Sequence, residues 1–272
     1  MSTDVRLSFI LKQLRLPTVL SNYQKLAMEA QQSGQKYEEY LLALLESEVS
    51  QRELNGRKYR ISEARFPMLR TLDEYDFGAI ASLNQSKVWQ LSKCDYIPKR
   101  ENIALIGGIG TGKTHIAIAL GLSACQQGYR VRFYTVSGLI NELVEASESH
   151  RLSKLETNLM RYQLIILDEL GFVPFSQSGA QLLFGFNSQR YQRGSLIITT
   201  NLGFAEWTEV FGDPRLTSAL LDRMTHHCHI LEFSGKSYRF RQSLERQAVE
   251  ASLPAEVSNT DPQSLEGKLC SI

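Results

Sequence analysis

The sequence lacks the features that would place a protein in a membrane or in an oxidising compartment. No run of about 18 apolar residues occurs in its 272 positions, so no membrane span is expected. The amino terminus, MSTDVRLSFI, has neither the long apolar stretch nor the cleavage site of a secretory signal. The four cysteines are scattered without CxxC spacing, which predicts reduced thiols. Together these absences predict a cytoplasmic location.

Net charge is also small. The formal charge of +1 excludes a field strong enough to make the whole protein a nucleic-acid binder, so any such contact must be local. Hydrophobic residues make up 43% and charged residues 22% of the chain, which suits an ordinary globular core. Because domains usually contain about 100–200 residues, the length predicts one large domain and a smaller one.

Residues 1–75 carry the periodicity of two or three helices and predict a small helical N-terminal domain that binds DNA or a partner. Apolar residues recur at helical spacing at Leu7, Ile10, Leu11 and Leu14, and again at Tyr37, Tyr40, Leu41, Leu44 and Leu45. Residues 52–70 contain six Lys or Arg and two Glu. This local excess makes Arg57, Lys58 and Arg60 candidates for DNA contact, although a solvated helix face explains them equally well.

From about residue 100 the pattern changes to short apolar runs that alternate with helical segments, as in βαβ units. Strands are predicted at residues 102–106, 131–136, 164–167 and 195–200, with a further candidate at 230–233. Helices are predicted at 113–127, about 138–161 and about 178–192. The fold class is therefore α/β, a parallel sheet flanked by helices, in a domain at residues 76–247. Residues 248–272 have an excess of acid, which predicts a disordered tail.

The segment GGIGTGKT at residues 107–114 follows the first predicted strand and opens a helix. It matches G-x-x-x-x-G-K-[ST], the loop that wraps the phosphates of a nucleotide. Backbone N–H groups must approach the densely charged polyphosphate closely, and glycine permits that approach. Lys113 is predicted to reach the β- and γ-phosphates of ATP, and Thr114 to coordinate Mg²⁺. The predicted nucleotide ligands are Gly107, Gly108, Ile109, Gly110, Thr111, Gly112, Lys113 and Thr114.

Two carboxylates, Asp168 and Glu169, follow the third predicted strand. Ligands bind at this end of an open parallel sheet. Asp168 is therefore predicted to hold Mg²⁺ through water, and Glu169 to polarise the attacking water. Taken alone, two acids after a strand more often form a solvated turn. With a P-loop upstream, the catalytic interpretation is favoured.

Asn201 ends the fourth predicted strand. Its amide would lie beside Glu169 if that strand is next to the P-loop strand, and there it could orient the attacking water. A simple cap of the following turn explains Asn201 equally well.

Arginines in the C-terminal part are candidate contacts to phosphate. Arg215 and Arg223 lie eight positions apart on a predicted amphipathic helix, and the run SYRFR contains Arg239 and Arg241. An arginine from a neighbouring subunit can stabilise charge that develops on the γ-phosphate. As isolated features, such arginines are usually surface salt bridges.

Two further clusters carry less information. The run HHCH at residues 226–229 does not predict a zinc site, because adjacent side chains cannot converge on one ion and no second cluster has the required spacing. The core is the expected place for Phe172, Phe175, Phe184 and Phe186.

In combination, the segments GGIGTGKT, LIILDELGF, SLIITTN and LLDRM followed by SYRFR resemble the IstB family, the ATP-binding helper proteins of insertion-sequence transposases. The N-terminal segments LLALLESEVSQRE and ARFPMLRTLDEYDF are similar to that family as well. The resemblance covers about residues 5–245. Many ATPases share the P-loop, but the combination is much more specific. The chain is also similar to the DnaC helicase loader, a relative within the AAA+ superfamily.

The resemblance implies an AAA+ fold, ATP hydrolysis and ATP-dependent self-assembly into a ring or a helical oligomer on double-stranded DNA. It also implies recruitment or stimulation of a partner transposase. Asn201 takes the sensor-1 position, Arg223 the arginine-finger position and Arg239 the sensor-2 position. Arg215 competes with Arg223 for the finger role.

Three alternatives stay open from the sequence. A helicase loader would share the active site but would need a replicative helicase as its partner. A P-loop kinase for small molecules would need an acceptor pocket and usually a lid, whereas the Asp-Glu pair suits the activation of water. A passive adaptor would bind the nucleotide as a structural ligand without hydrolysing it.

Overall fold

The computed structural model describes residues 3–80, 82–235 and 237–238. Arg239, Arg241 and the predicted tail at 248–272 lie outside the described residues, so their expected roles stay predictions.

Three helices come first: α1 (Thr3–Gln13), α2 (Pro17–Ser33) and α3 (Tyr37–Ala64). Pro17 opens α2, where the missing N–H has no helical partner to lose, and Gly34 ends that helix in the left-handed conformation at φ 66°. The buried carboxylate of Glu48 on α3 accepts the N–H groups of Thr18 and Val19 at 2.8 and 3.2 Å. This carboxylate thus ties α3 to the start of α2.

Five strands form one sheet: β1 (Asn102–Gly107), β2 (Val131–Thr135), β3 (Leu164–Leu170), β4 (Ser195–Thr200) and β5 (Cys228–Phe233). All neighbouring strands are parallel, in the order β2-β3-β4-β1-β5. The predicted parallel sheet is confirmed, including its fifth strand. Because β4 lies between β1 and β3, the carboxyl ends of these three strands share one edge.

Shorter helices link and cover the strands: α4 (Gln85–Leu91), α5 (Tyr96–Lys99), α6 (Lys113–Gln126), α7 (Val136–Glu148), α8 (Leu152–Leu159), α9 (Gln177–Arg190), α10 (Trp207–Phe211) and α11 (Pro214–Thr225). Two short 3₁₀ helices are at Phe77–Ala79 and Phe204–Glu206. One face of the sheet packs on α4, α5, α6 and the end of α3, and the other packs on α7, α9, α10 and α11. Strands covered on both faces need continuous apolar runs, which explains the sequence of β3.

Helix α3 belongs to both parts of the molecule. At 28 residues it is about 42 Å long, given a rise of about 1.5 Å per residue. Its first half packs on α2, whereas near its end Arg60 donates to the carbonyl oxygen of Cys125 on α6 at 2.9 Å. Glu63 pairs with Arg130 beside β2 at 2.9 Å. One continuous helix thus connects the N-terminal helices to the sheet, and the predicted boundary at residues 75 and 76 stays a prediction.

Two sequence expectations were wrong in detail. The helical pattern at 138–161 forms two helices, because the chain leaves α7 at Ser149 and His150 adopts a left-handed φ of 55°. Phe172 is 65% exposed instead of buried in the core. The other three phenylalanines follow the expectation, since Phe186 is buried and Phe175 and Phe184 are partly buried.

Candidate functional site

Three of the four glycines in the loop between β1 and α6, all but Gly108, stand where a side chain would be strained. Gly107 has φ 152°, and a Cβ there would lie 2.2 Å from the carbonyl oxygen of Phe233 on β5. Gly110 and Gly112 adopt φ 76° and 91°. These values lie in the region that favours glycine, so the loop can bring its backbone close to a ligand.

Lys113 carries its charge into this loop. Its ammonium donates to the carbonyl oxygens of Gly107 and Gly108, each at 2.7 Å. Lys113 is also the first residue of α6, whose N-terminus contributes unpaired N–H groups and the positive end of the helix dipole. A lysine, a helix N-terminus and a glycine loop in one place form a site for a polyphosphate.

Tyr75, which the sequence did not single out, holds the loop from the side of the N-terminal helices. Its hydroxyl donates to the carbonyl oxygen of Thr111 at 3.0 Å. A Cβ on Gly112 would lie 2.6 Å from its ring, and the ring of His115 packs edge-on at 5.2 Å. Burial, with a smaller contribution from the charge of Asp76, raises the pKa of the Tyr75 phenol to about 12. The hydroxyl therefore stays a donor at neutral pH.

Two residues that follow β5 also contact the P-loop. The N–H of Tyr238 donates to the carbonyl oxygen of Gly110 at 3.0 Å. A Cβ on Gly110 would lie 2.2 Å from the hydroxyl of Ser237. Residues more than 120 positions downstream thus help to shape the P-loop.

Thr114 and Asp168 meet at the carboxyl edge of the sheet. The Thr114 hydroxyl donates to Oδ1 of Asp168 at 3.0 Å, and Asp168 is only 4% exposed. A hydroxyl and a carboxylate beside a phosphate loop are the ligands with which proteins usually hold Mg²⁺, which also keeps waters and phosphate oxygens. This donor set therefore fits magnesium.

Glu169 lies next to Asp168 in a β-bulge. Strand β3 pairs with β4 through Leu167 opposite Ile198 and then Leu170 opposite Thr200, with a shift of register between them. Two residues of β3, Asp168 and Glu169, therefore stand against the single residue Thr199. Glu169 adopts φ 64° and is exposed. A bulge re-aims consecutive side chains, and here it leaves one carboxylate buried and the next in the open.

Asn201 follows Thr200, the residue that pairs with Leu170 immediately after Glu169. Strand β4 lies directly between the P-loop strand and the strand of the two carboxylates. Asn201 is exposed. The turn that contains it is closed by a hydrogen bond from the N–H of Leu202 to the hydroxyl of Thr200 at 3.1 Å. The site edge therefore contains Asn201, and its role in orienting water stays a prediction.

Arg223 lies near the end of the sheet where β1 begins, and the P-loop of the same chain follows the opposite end of β1. The next residue, Met224, accepts a hydrogen bond through its carbonyl oxygen from the side chain of Asn102, which begins β1. The P-loop begins at the other end of that six-residue strand, about 17 Å away at about 3.3 Å per residue. Arg223 donates to the Ser188 hydroxyl, and its guanidinium lies 5.0 Å from the ring centre of Phe184.

Arg215, the other candidate finger, has different surroundings. It lies in the first turn of α11, is exposed, and follows Asp213, whose carboxylate caps the helix. Only Arg223 is held in a fixed orientation by packing on its own chain.

The three candidate DNA contacts also separate. Arg57 and Lys58 are exposed, whereas Arg60 is partly buried and donates through its Nε to the carbonyl oxygen of Cys125.

Within the described ranges no helix is long and apolar enough to cross a membrane. In the same part of the chain, no group of three or more His, Cys, Asp or Glu side chains is arranged to hold a metal ion.

The strand order, the glycine loop and the acidic bulge define a P-loop nucleotide-binding protein of the AAA+ class. Solved structures share this fold. The DnaC helicase loader matches with a TM-score of 0.50 and 19% identity, over 60% of this chain and 96% of that one. Domain III of the replication initiation protein DnaA from Thermotoga maritima matches with a TM-score of 0.51 and 20% identity, over 69% and 77% of the two chains. At such identities the likeness shows the fold alone.

Within this class, the chain belongs to the family of IstB-like ATP binding proteins, whose family model matches residues 9–246. A relative designated as the ATP-binding protein of insertion sequence IS21 from Pseudomonas aeruginosa is 35% identical over 87% of this chain and 89% of its own length. The corresponding protein of IS5376 from Geobacillus stearothermophilus is 33% identical over 84% and 91%. The resemblance noted in the sequence is thus confirmed.

Proposed function

We propose that this chain is an ATPase that binds double-stranded DNA, assembles with copies of itself and assists an insertion-sequence transposase by recruiting or stimulating it. Membership of a family of insertion-sequence ATP-binding proteins supports the nucleotide and the genetic setting. The single observation that carries hydrolysis is the meeting of Thr114 and Asp168 beside the exposed Glu169. A protein that only stores nucleotide would not need an open carboxylate there.

Each residue has a role that follows from its position. The loop N–H groups and Lys113 bind the phosphates, while Thr114 and Asp168 hold Mg²⁺. When bound, Mg²⁺ neutralises charge that develops on the phosphate oxygens. Glu169 accepts a proton from the attacking water, and Asn201 orients that water. Arg239 contacts the phosphates as sensor 2.

Replacing Glu169 with glutamine tests the hydrolytic role. Glu169→Gln removes the base and keeps the size of the side chain, so the variant binds ATP normally, largely loses hydrolysis and accumulates as a DNA-bound oligomer. ATP turnover and sedimentation with duplex DNA measure both effects. Glu145→Gln, which changes an exposed glutamate on α7, is the matched control and keeps normal turnover. Turnover at the unmodified rate in Glu169→Gln would show that Glu169 is not the base.

The place of Arg223 supports the proposed self-assembly. Asn102, which bonds to the neighbouring Met224, is about 17 Å along β1 from the P-loop, so Arg223 serves the ATP of a neighbouring copy if it serves ATP at all. Lys113→Ala keeps a working Arg223, and Arg223→Ala keeps a working P-loop. Each variant alone is inactive, but a mixture forms composite sites and regains hydrolysis. A mixture as inactive as its two components would exclude action between subunits.

DNA contact by the exposed basic residues of α3 is tested by salt dependence. Each phosphate contact contributes about 0.9 to the slope of log affinity against log salt concentration, so Arg57→Ala with Lys58→Ala lowers the slope by roughly 2. Arg60→Ala serves as the comparison, because Arg60 already bonds to Cys125, and it changes the slope less. An unchanged slope in the double variant would place the DNA surface elsewhere.

A helicase loader would use the same site, and the likeness to DnaC does not separate the two functions, because it shows the fold alone. Family membership favours transposition. Capture of partners on the immobilised protein decides between them, since a replicative helicase among the partners, with no transposase, would favour the loader.

A further inference from the structure

Thr199 is a buried hydroxyl that stands opposite the two carboxylates of the bulge. It is 1% exposed and lies on β4, at the point where Asp168 and Glu169 together face one residue. Threonine is common in strands, so the sequence alone gives no sign that this residue has a special role. The contacts of its side chain distinguish it from a residue that only fills space.

The Thr199 hydroxyl joins the two acidic residues. It donates to Oδ1 of Asp168 at 2.5 Å and accepts the backbone N–H of Glu169 at 2.9 Å. A hydroxyl has one proton to donate, so both of these bonds together fix its direction. The resulting chain runs from the Glu169 N–H through the Thr199 hydroxyl to the Asp168 carboxylate, and Thr114 donates to the same carboxylate oxygen.

We infer that Thr199 is a positioning residue, which sets the orientation of the magnesium-binding carboxylate of Asp168 and holds the backbone of Glu169 in its left-handed conformation. A non-glycine residue at φ 64° persists only when its surroundings hold it there, and the bond from the Glu169 N–H to Thr199 supplies one such restraint. The second ligand shell of a metal acts in the same way on the ligands that it contacts. The inference rests on the proposed function, in which Asp168 holds Mg²⁺, but its magnesium readout does not require hydrolysis.

The test compares Thr199→Val, which removes the hydroxyl and keeps the shape, with Thr199→Ser, which keeps the hydroxyl. ADP affinity is measured by calorimetry with MgCl₂ and with EDTA. Thr199→Val binds ADP normally in EDTA and loses about 10-fold or more of the affinity that magnesium adds, as expected for a second-shell change. Thr199→Ser stays within about threefold of the unmodified protein in both conditions. In the hydrolysis assay, Thr199→Val lowers kcat and leaves KM almost unchanged.

Thr217→Val is the matched control for the loss of a buried threonine hydroxyl. Thr217 is also 1% exposed, but its hydroxyl donates to the carbonyl oxygen of Asp213 at the start of α11. In Thr217→Val, MgCl₂ raises ADP affinity as much as in the unmodified protein, even if the variant melts at a lower temperature. If Thr199→Val does not fold, Thr199→Ala, which also lacks the hydroxyl and adds no bulk, takes its place.

Two results would overturn the inference: a full magnesium effect in Thr199→Val, or a loss in Thr199→Ser as large as the loss in Thr199→Val. The second result would show that packing, and not the hydroxyl, matters. Failure of the proposed function looks different. In that case the unmodified protein does not hydrolyse ATP with DNA present, while the calorimetric comparison still reports on Thr199.

Discussion

The bond from Tyr75 to the P-loop gives a prediction whose size follows from the structure. Tyr75→Phe removes one hydroxyl and keeps the ring that packs on Gly112 and His115. The lost hydrogen bond, 3.0 Å to the carbonyl oxygen of Thr111, is partly buried. Such bonds contribute about 0.5–1.5 kcal/mol. If the bond holds the loop in its binding conformation, ADP affinity falls by roughly 2- to 12-fold.

The assay is calorimetric titration with ADP and MgCl₂, and Tyr40→Phe is its matched control. Tyr40 also donates its hydroxyl to a backbone carbonyl oxygen at 3.0 Å, that of Tyr23, but it lies among the N-terminal helices. The two variants lose the same kind of bond, so both are slightly less stable. Only Tyr75→Phe binds ADP more weakly.

The pH dependence gives a second check on Tyr75. Because the pKa of the phenol is raised from 10 to about 12, the hydroxyl stays protonated through pH 9 and its contribution is constant there. In the folded protein that contribution to ADP affinity is lost only as the pH approaches about 12, and the unmodified protein and Tyr75→Phe then converge. Equal affinities of Tyr75→Phe and the unmodified protein at pH 7.5 would refute the argument, since the bond would then not hold the loop.

Two further predictions concern the loop and the far end of the sheet. Gly112→Ala costs about 1–2 kcal/mol for a left-handed backbone and adds a contact 2.6 Å from the Tyr75 ring, so ADP binding weakens more than in Tyr75→Phe. Gly34→Ala, at φ 66° with open space around it, isolates the backbone cost and leaves binding unchanged. Arg190→Met leaves three carbonyl oxygens, two of them in fully buried bonds, without their cationic donor and lowers the free energy of unfolding by about 3 kcal/mol in urea titration. Arg193→Met, which changes an exposed neighbour, has a small effect, and an equal loss in both would refute the structural role of Arg190.

Local patterns were sufficient to predict the parts of the fold that local forces determine. The strand cores, the P-loop and the two acids near the carboxyl end of β3 follow from apolar runs, glycine spacing and the rule that ligands bind at strand ends. The fifth strand was only a candidate, because its residues are partly polar and one face is half exposed. The break after α7 was missed, since His150 is not a residue that usually ends a helix.

The remaining features depend on contacts between distant residues. Tyr75 and Thr111 are 36 positions apart, and the bond between Thr199 and Asp168 spans 31. A bulge is a property of two strands, so neither LIILDEL nor SLIITT alone reveals that two residues face one. Thr199 could have been suspected only as one of three hydroxyl residues in the buried strand β4, a signal that many structural threonines share.

If copies of the chain assemble as proposed and Arg223 is the finger, its position limits how they can associate. An arginine finger has to reach its target in a fixed geometry, and Arg223 is held by Ser188 and Phe184, whereas Arg215 is exposed in the first turn of α11. One bond to Ser188 leaves other N–H groups of the guanidinium for a phosphate, because this group has five. The P-loop and Arg223 lie at opposite edges of the sheet, so a copy that offers Arg223 to one neighbour presents its own nucleotide to another. Such a head-to-tail contact generates a ring when the rotation between copies closes and a helical filament when it does not, and a two-fold dimer alone cannot satisfy it.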